Sequence, residues 1–194
     1  MQQPRGHALT ELLCALAILA LMLGLGWPEL RSLWLARQGE VQIAALQRLL
    51  SLARSTALSS GRTVGLCGSS DGRQCSGRWQ DGVLGFYDAN DDGLPDSEAA
   101  LLRWHAWQPK PASLSFASFP RRAVLLYAAD GATRQQNGSF TWCPLGNDAR
   151  YAQQLLIAQT GRVRVAVDSD GDGRISPAEL AQLRKQQKLL KVRP

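Results

Sequence analysis

The residues best suited to chemistry lie late in the chain. Asp168 to Glu179, DSDGDGRISPAE, has the spacing of a twelve-residue EF-hand calcium loop. Asp168, Asp170 and Asp172 offer side-chain oxygens at positions one, three and five, and Gly173 stands where such a loop turns sharply. Arg174 offers its carbonyl at seven, Ser176 fits nine, and Glu179 is the bidentate ligand at twelve. Hard oxygen donors in this number suit Ca²⁺ and not a soft metal. The same residues also read as an acidic turn before a helix, because Ser176, Pro177 and Glu179 make a capping-box start for residues 177–190. The two readings are compatible. A second stretch, Asp88 to Glu98, DANDDGLPDSE, matches such a loop only in its first half. Asp88, Asn90, Asp92 and Gly93 fall at positions one, three, five and six and Asp96 at nine, but position twelve is Ala99 and Glu98 comes one place early. The competing reading is a tight Asx-rich turn between strands.

Just before the acidic loop stands Gly161-Arg162-Val163-Arg164. Residues 154–158 and 162–167 read as two strands of a hairpin turning at Thr160-Gly161. Strand alternation puts Val163, Val165 and Val167 on one face and Arg162 and Arg164 on the other. Two guanidiniums about 7 Å apart match the spacing of successive phosphates on a strand. Contacts of that kind to DNA are independent of sequence and sensitive to salt. The alternative is a solvated sheet edge. The tail from Leu180 carries Arg184, Lys185, Lys188, Lys191 and Arg193 without an acid. It is either a solvated helix face or a further phosphate-binding strip, in which Lys185 and Lys188 extend the arginine pair toward DNA or lipid headgroups.

Catalysis has little support. The two histidines are His7 and His105, and no nucleophile–base pair, phosphate loop or zinc motif is visible. The net charge of +6 suits a polyanionic partner without specifying one. Four cysteines occur. Cys14 lies in an apolar run. Cys67 and Cys75 bracket a polar loop, GSSDGRQ, which in an exported domain reads as a loop closed by a disulfide. Cys143 is either free or paired with one of those two.

Three kinds of element must position these residues. The first is the apolar run from Gly6 to Pro28, in which Glu11 is the only charge between Ala8 and Trp27. Twenty helical residues span about 30 Å, the hydrocarbon thickness of a bilayer. The leader has one basic residue, Arg5, and the run ends in Gly-Trp-Pro where a signal-peptide cleavage site would need small residues. A glutamate in such a run is costly and calls for a partner. The second element continues the helical pattern to Ser59, with Leu46, Leu49, Leu50, Ala53 and Ala57 on one face and Arg54 at its edge. Pro28 marks a kink, and Ser59-Ser60-Gly61 a stop. Third come eight short β-favouring runs, 63–67, 83–87, 101–107, 113–116, 123–127, 139–143, 154–158 and 162–167. Their lengths predict antiparallel sheets without helical crossovers, and with the helix an α+β fold.

These segments resemble a known family. Gly6, four residues, Glu11 and the Leu/Ala/Ile run are similar to the leader of type IV pilins and type II secretion pseudopilins. The resemblance implies cleavage between Gly6 and His7 by a prepilin peptidase, with methylation of the new terminus. Glu11 becomes the fifth mature residue and pairs with a neighbouring subunit, and Pro28 becomes the twenty-second. His7 departs from the usual Phe. Trp79 to Asp96, Asp130 to Cys143 and Gln159 to Arg164 resemble the FimT/GspH branch of minor pilins. That branch implies a pilin-like fold and a role in DNA capture for Gly161, Arg162 and Arg164. It divides the chain into a leader (1–6), a membrane half-helix (7–28), a periplasmic β domain with the second half of the helix (29–167) and an acidic loop with a basic helix (168–194). The expected site is the inner membrane, crossed once, and then a pilus or pseudopilus made with other pilin-type subunits. The alternatives are a structural pseudopilin of type II secretion with no DNA role, and a membrane-anchored calcium-dependent module. The calcium loop and tail are additions that the branch does not lead one to expect.

Overall fold

The computed structural model describes residues 8–111, 113–144 and 151–166. Gly6 and His7, the calcium-loop residues Asp168, Asp170, Asp172, Arg174, Ser176 and Glu179, and the tail with Lys185 and Lys188 lie outside them. So does the short helix expected there. Contacts divide the chain into two compact units, Met1–Arg37 and Gln38–Pro194.

A single helix, α1, covers Ala8–Ser60. In the first unit the described apolar residues from Leu9 to Met22 form no buried stripe. Leu9, Leu12, Leu16, Ile18, Leu21 and Met22 are 54–70% exposed. Glu11 lies in the first turn, where a negative charge complements the helix dipole. Pro28 does not end the helix, which is assigned without a break across it. Counting only the described residues, no helix is long and apolar enough to cross a membrane.

In the second unit α1 is amphipathic. Ile43, Leu46, Leu50, Ala53 and Ala57 recur at helical spacing and are no more than 6% exposed, with Leu49 packed beside them. Arg48, Ser51 and Ser55 face solvent. The helix stops at Ser60 because Gly61, at φ +64°, takes the left-handed conformation that closes a C-terminus.

Eight strands follow: β1 (Val64–Gly68), β2 (Gly82–Tyr87), β3 (Leu101–Ala106), β4 (Ser113–Phe119), β5 (Val124–Tyr127), β6 (Asn137–Cys143), β7 (Gln153–Ile157) and β8 (Val163–Val165). Each run expected from the sequence is a strand, and a short 3-10 turn, Glu98–Ala100, leads into β3. They form two antiparallel four-stranded sheets, ordered β3-β2-β1-β5 and β4-β6-β7-β8. The buried stripe of α1 packs with Val64, Leu66, Leu125 and Tyr127 of the first sheet and Leu114, Phe140, Trp142 and Leu155 of the second. Trp79 fills the aromatic centre of this core, 4.8 Å from the Phe140 ring and 5.3 Å from Phe116. Its carbonyl accepts a 2.7 Å hydrogen bond from Trp107 Nε1.

The other face of the first sheet is also buried. Cys67, Leu84 and Phe86 form a second cluster with Cys75, Leu101 and Val124. The Cys67–Cys75 disulfide holds the intervening loop over it. Cys14 and Cys143 are free.

Candidate functional site

The arginine motif sits on the β7–β8 hairpin. Leu155 pairs with Val165, Leu156 with Arg164 and Ile157 with Val163. Leu155 and Ile157 are buried and Val163 packs against the core, so the alternate position, Arg164, is turned outward. Among the described residues β8 is one of the two edge strands of its sheet, β4 being the other. The ladder closes with Ala158 N–H donating to the Arg162 carbonyl at 3.0 Å, and Gly161 N–H donates to the Ala158 carbonyl at 2.9 Å. That leaves a three-residue loop, Gln159–Gly161, whose last residue is left-handed at φ +76°. Arg162 therefore precedes the strand and does not lie within it. Arg162 and Arg164 are both exposed. Among the described residues neither makes an ion pair or a side-chain hydrogen bond.

The loop itself is firmly held. Thr133 N–H donates to the Gln159 carbonyl at 2.9 Å, and its hydroxyl, which donates to the Gln136 carbonyl at 2.5 Å, lies 3.1 Å from the same Gln159 oxygen. Gln159 N–H donates to Asn137 Oδ1 at 3.0 Å. Arg54 of α1 donates Nη2 to the Thr160 carbonyl at 3.0 Å and Nε to the Gly131 carbonyl at 2.9 Å. Gly161 is buried in this arrangement, and a Cβ there would collide with the Gly131 carbonyl oxygen. The glycine of Gly-Arg-x-Arg is thus required both by its backbone conformation and by the closeness of the 128–131 turn. Close by, the Tyr127 hydroxyl is buried with no hydrogen-bond partner among the described residues. Burial pushes it above the ordinary phenol range, with the Arg54 charge opposing.

Arg54, Gly131 and Thr133 were not recognised from the sequence as part of this site. Arg54 gave a signal in its place at the edge of the apolar stripe, and Gly131 in the Asp-Gly turn pair, but nothing in the spacing joins them to Thr160.

The second candidate, Asp88 to Glu98, is a network of Asx turns. Asp88 is fully buried and its two oxygens accept from Asp92 N–H (3.1 Å) and Gly93 N–H (2.9 Å). Asp92 Oδ1 accepts from Leu94 N–H at 2.7 Å, Asn90 Oδ1 from Asp92 N–H at 3.1 Å, and Asp96 Oδ2 from Ala89 N–H at 2.8 Å. Asp91 is paired with Arg134. Among the described residues no group of three or more His, Cys, Asp or Glu is arranged to hold a metal ion. These carboxylates serve the backbone of the loop. His105 stands edge-on to Trp107 at 4.8 Å, and burial, then the Arg103 charge, lowers its pKa.

A long helix whose second half packs on two antiparallel sheets, with an exposed basic hairpin at one edge, defines a pilin-like subunit. Residues 42–171 match the family model of the type II transport protein GspH. The match spans about two thirds of the chain, and the chain belongs to that family. Its fold is similar to the type IV minor pilin FimU of Pseudomonas aeruginosa (strain PAO1), with 20% identity, 68% of this chain and 90% of that one covered, and a TM-score of 0.51. It is also similar to the minor pseudopilin EpsH from the type 2 secretion system of Vibrio cholerae, with 15% identity, 70% and 99% covered, and a TM-score of 0.40. No curated protein matches the sequence. The protein is therefore a member of the GspH family with a pilin-like fold.

Proposed function

We propose that this chain is a minor subunit of a type IV pilus that enters the inner membrane as a prepilin and contacts DNA nonspecifically during uptake. In this reading the peptidase cuts after Gly6 and His7 becomes the methylated terminus. Residues 7–28 cross the membrane before assembly, and the β domain is periplasmic. The apolar, stripe-free surface of α1 around Leu12, Leu16 and Leu19 supports a lipid or filament-core environment. The observation that carries the DNA reading is the pair of exposed arginines, without an ion pair among the described residues, on a fastened turn beside an edge strand. Lys185 and Lys188 would lengthen the contact.

The test is DNA binding by the full chain in detergent across a salt series. Replacing Arg162 and Arg164 by Gln should weaken binding and lower the slope of log K against log salt by about two. Unchanged affinity in that double variant would remove the DNA role. The remaining reading is then the structural pseudopilin of type II secretion, which the description of the matched family favours.

We also propose that Asp168 to Glu179 binds Ca²⁺, on the strength of its complete ligand spacing. Calorimetric titration of the full chain should show a binding isotherm that is lost in Glu179→Gln. The absence of heat in the parent would dismiss the site.

A further inference from the structure

The turn before Arg162 is fastened to a residue 106 positions earlier in the chain. Arg54, half-buried at the edge of the packed stripe of α1, gives one guanidinium to two loops at once: Nη2 to Thr160 in the hairpin and Nε to Gly131 in the 128–131 turn. The guanidinium is planar and presents its donors in a fixed fork, so bonding both carbonyls sets the distance between the loops. Among the described residues no other group donates to either carbonyl, and no carboxylate pairs with Arg54. The same Gly131 carbonyl lies where a side chain on residue 161 would be, so the fork and the glycine close one contact from two sides.

We infer that Arg54 is a positioning residue for the arginine hairpin. It holds the Gln159–Gly161 loop in place before any ligand arrives, so Arg162 and Arg164 meet adjacent phosphates without first being ordered. Arg54 itself keeps its donors on the two carbonyls and does not contact phosphate. The inference rests on the phosphate-binding reading of the hairpin.

The experiment uses the full chain in detergent, a short duplex DNA as probe, and Arg54→Lys, Arg54→Gln and the Arg162→Gln/Arg164→Gln double variant. Arg54→Lys keeps the charge but cannot bridge both carbonyls, and affinity should fall roughly tenfold. Arg54→Gln should fall at least as far, with the salt slope unchanged. Amide hydrogen exchange at Gly161 and Arg162 should quicken in both, while β6 stays protected. If either variant binds DNA as the parent does, the positioning role is wrong. It is also wrong if Arg54→Gln lowers the salt slope by about one with exchange unchanged, because Arg54 is then a direct phosphate contact. Should Arg54→Gln fail to fold, Arg54→Lys decides alone. Failure of the underlying reading looks different. In that case the double variant keeps parental affinity, or the parent binds no DNA, and the inference falls with it.

Discussion

Gly161 shows how closely a single residue can be constrained. Its φ of +76° lies in the left-handed region, and its missing side chain makes room for the Gly131 carbonyl. Gly161→Ala should therefore destabilise the domain by about 1–3 kcal/mol, read from denaturant midpoints, and should loosen the hairpin more than the rest. A midpoint equal to the parent's would show that the turn tolerates a side chain. Asp88 offers a test through pH. Burial raises its pKa above 3.8, the charges of Asp92 and Asp91 adding to the effect and the N–H groups of Gly93 and Asp92 opposing it. A carboxyl whose pKa is raised by folding favours the native state below its unfolded pKa, and that contribution is lost as pH rises through the folded value. Asp88→Asn has a constant cost, because the amide cannot accept both N–H bonds, but it lacks this titration. Melting temperatures from about pH 3 to about pH 7 should show the variant's deficit shrinking as pH rises. A deficit that stays constant or grows would overturn this account of Asp88.

At the level of elements, the sequence pattern was legible wherever one face is buried and the other is not. The stripe Leu46, Leu50, Ala53 and Ala57 is the packed face of α1, and all eight strand runs form strands, because periods of 3.6 and 2 follow directly from backbone geometry. Ends were less legible. β4 extends to Phe119 and β6 begins at Asn137 because they pair with each other over their full length, from Ser113 with Cys143 to Phe119 with Asn137. Each supplies the other's hydrogen bonds, and neither sequence carries that information alone. The disulfide loop belongs to this scale too. Cys67 and Cys75 close a short loop over Leu84 and Phe86. Replacing both by Ser should cost about 2–3 kcal/mol, as expected for a loop of this length. Chemical denaturation of the double variant should show the loss, and an unchanged midpoint would mean that packing alone holds the loop.

For the whole molecule the question is assembly. Glu11 is exposed in the first turn of an apolar helix, where an ionised carboxylate in lipid or in a filament core would need a cationic partner. If a neighbouring subunit's terminal amine is that partner, Glu11→Ala should leave the β domain folded and remove the protein from purified filaments. Recovery of the variant in filaments at the parental level would end that assignment. The calcium loop belongs to this scale as well, since Asp168 follows β8 by three residues and so begins close in the chain to Arg164.

The amino-acid order by itself determined the apolar leader segment with its one glutamate, the amphipathic continuation, the alternating strands and the family, whereas the choice of Cys67 with Cys75 over a pair with Cys143 was left to the structure. What the order determined depends on local periodicity or on residues close in the chain, where backbone geometry sets who faces whom. Only the tertiary structure decided that Arg54 serves the Gly161–Arg164 hairpin, that Gly161 is required by Gly131, and that the first sheet is buried on both faces. The first two of these contacts join residues 30 to 106 positions apart. They exist because α1 and the two sheets share one core, and no spacing along the chain encodes that distance.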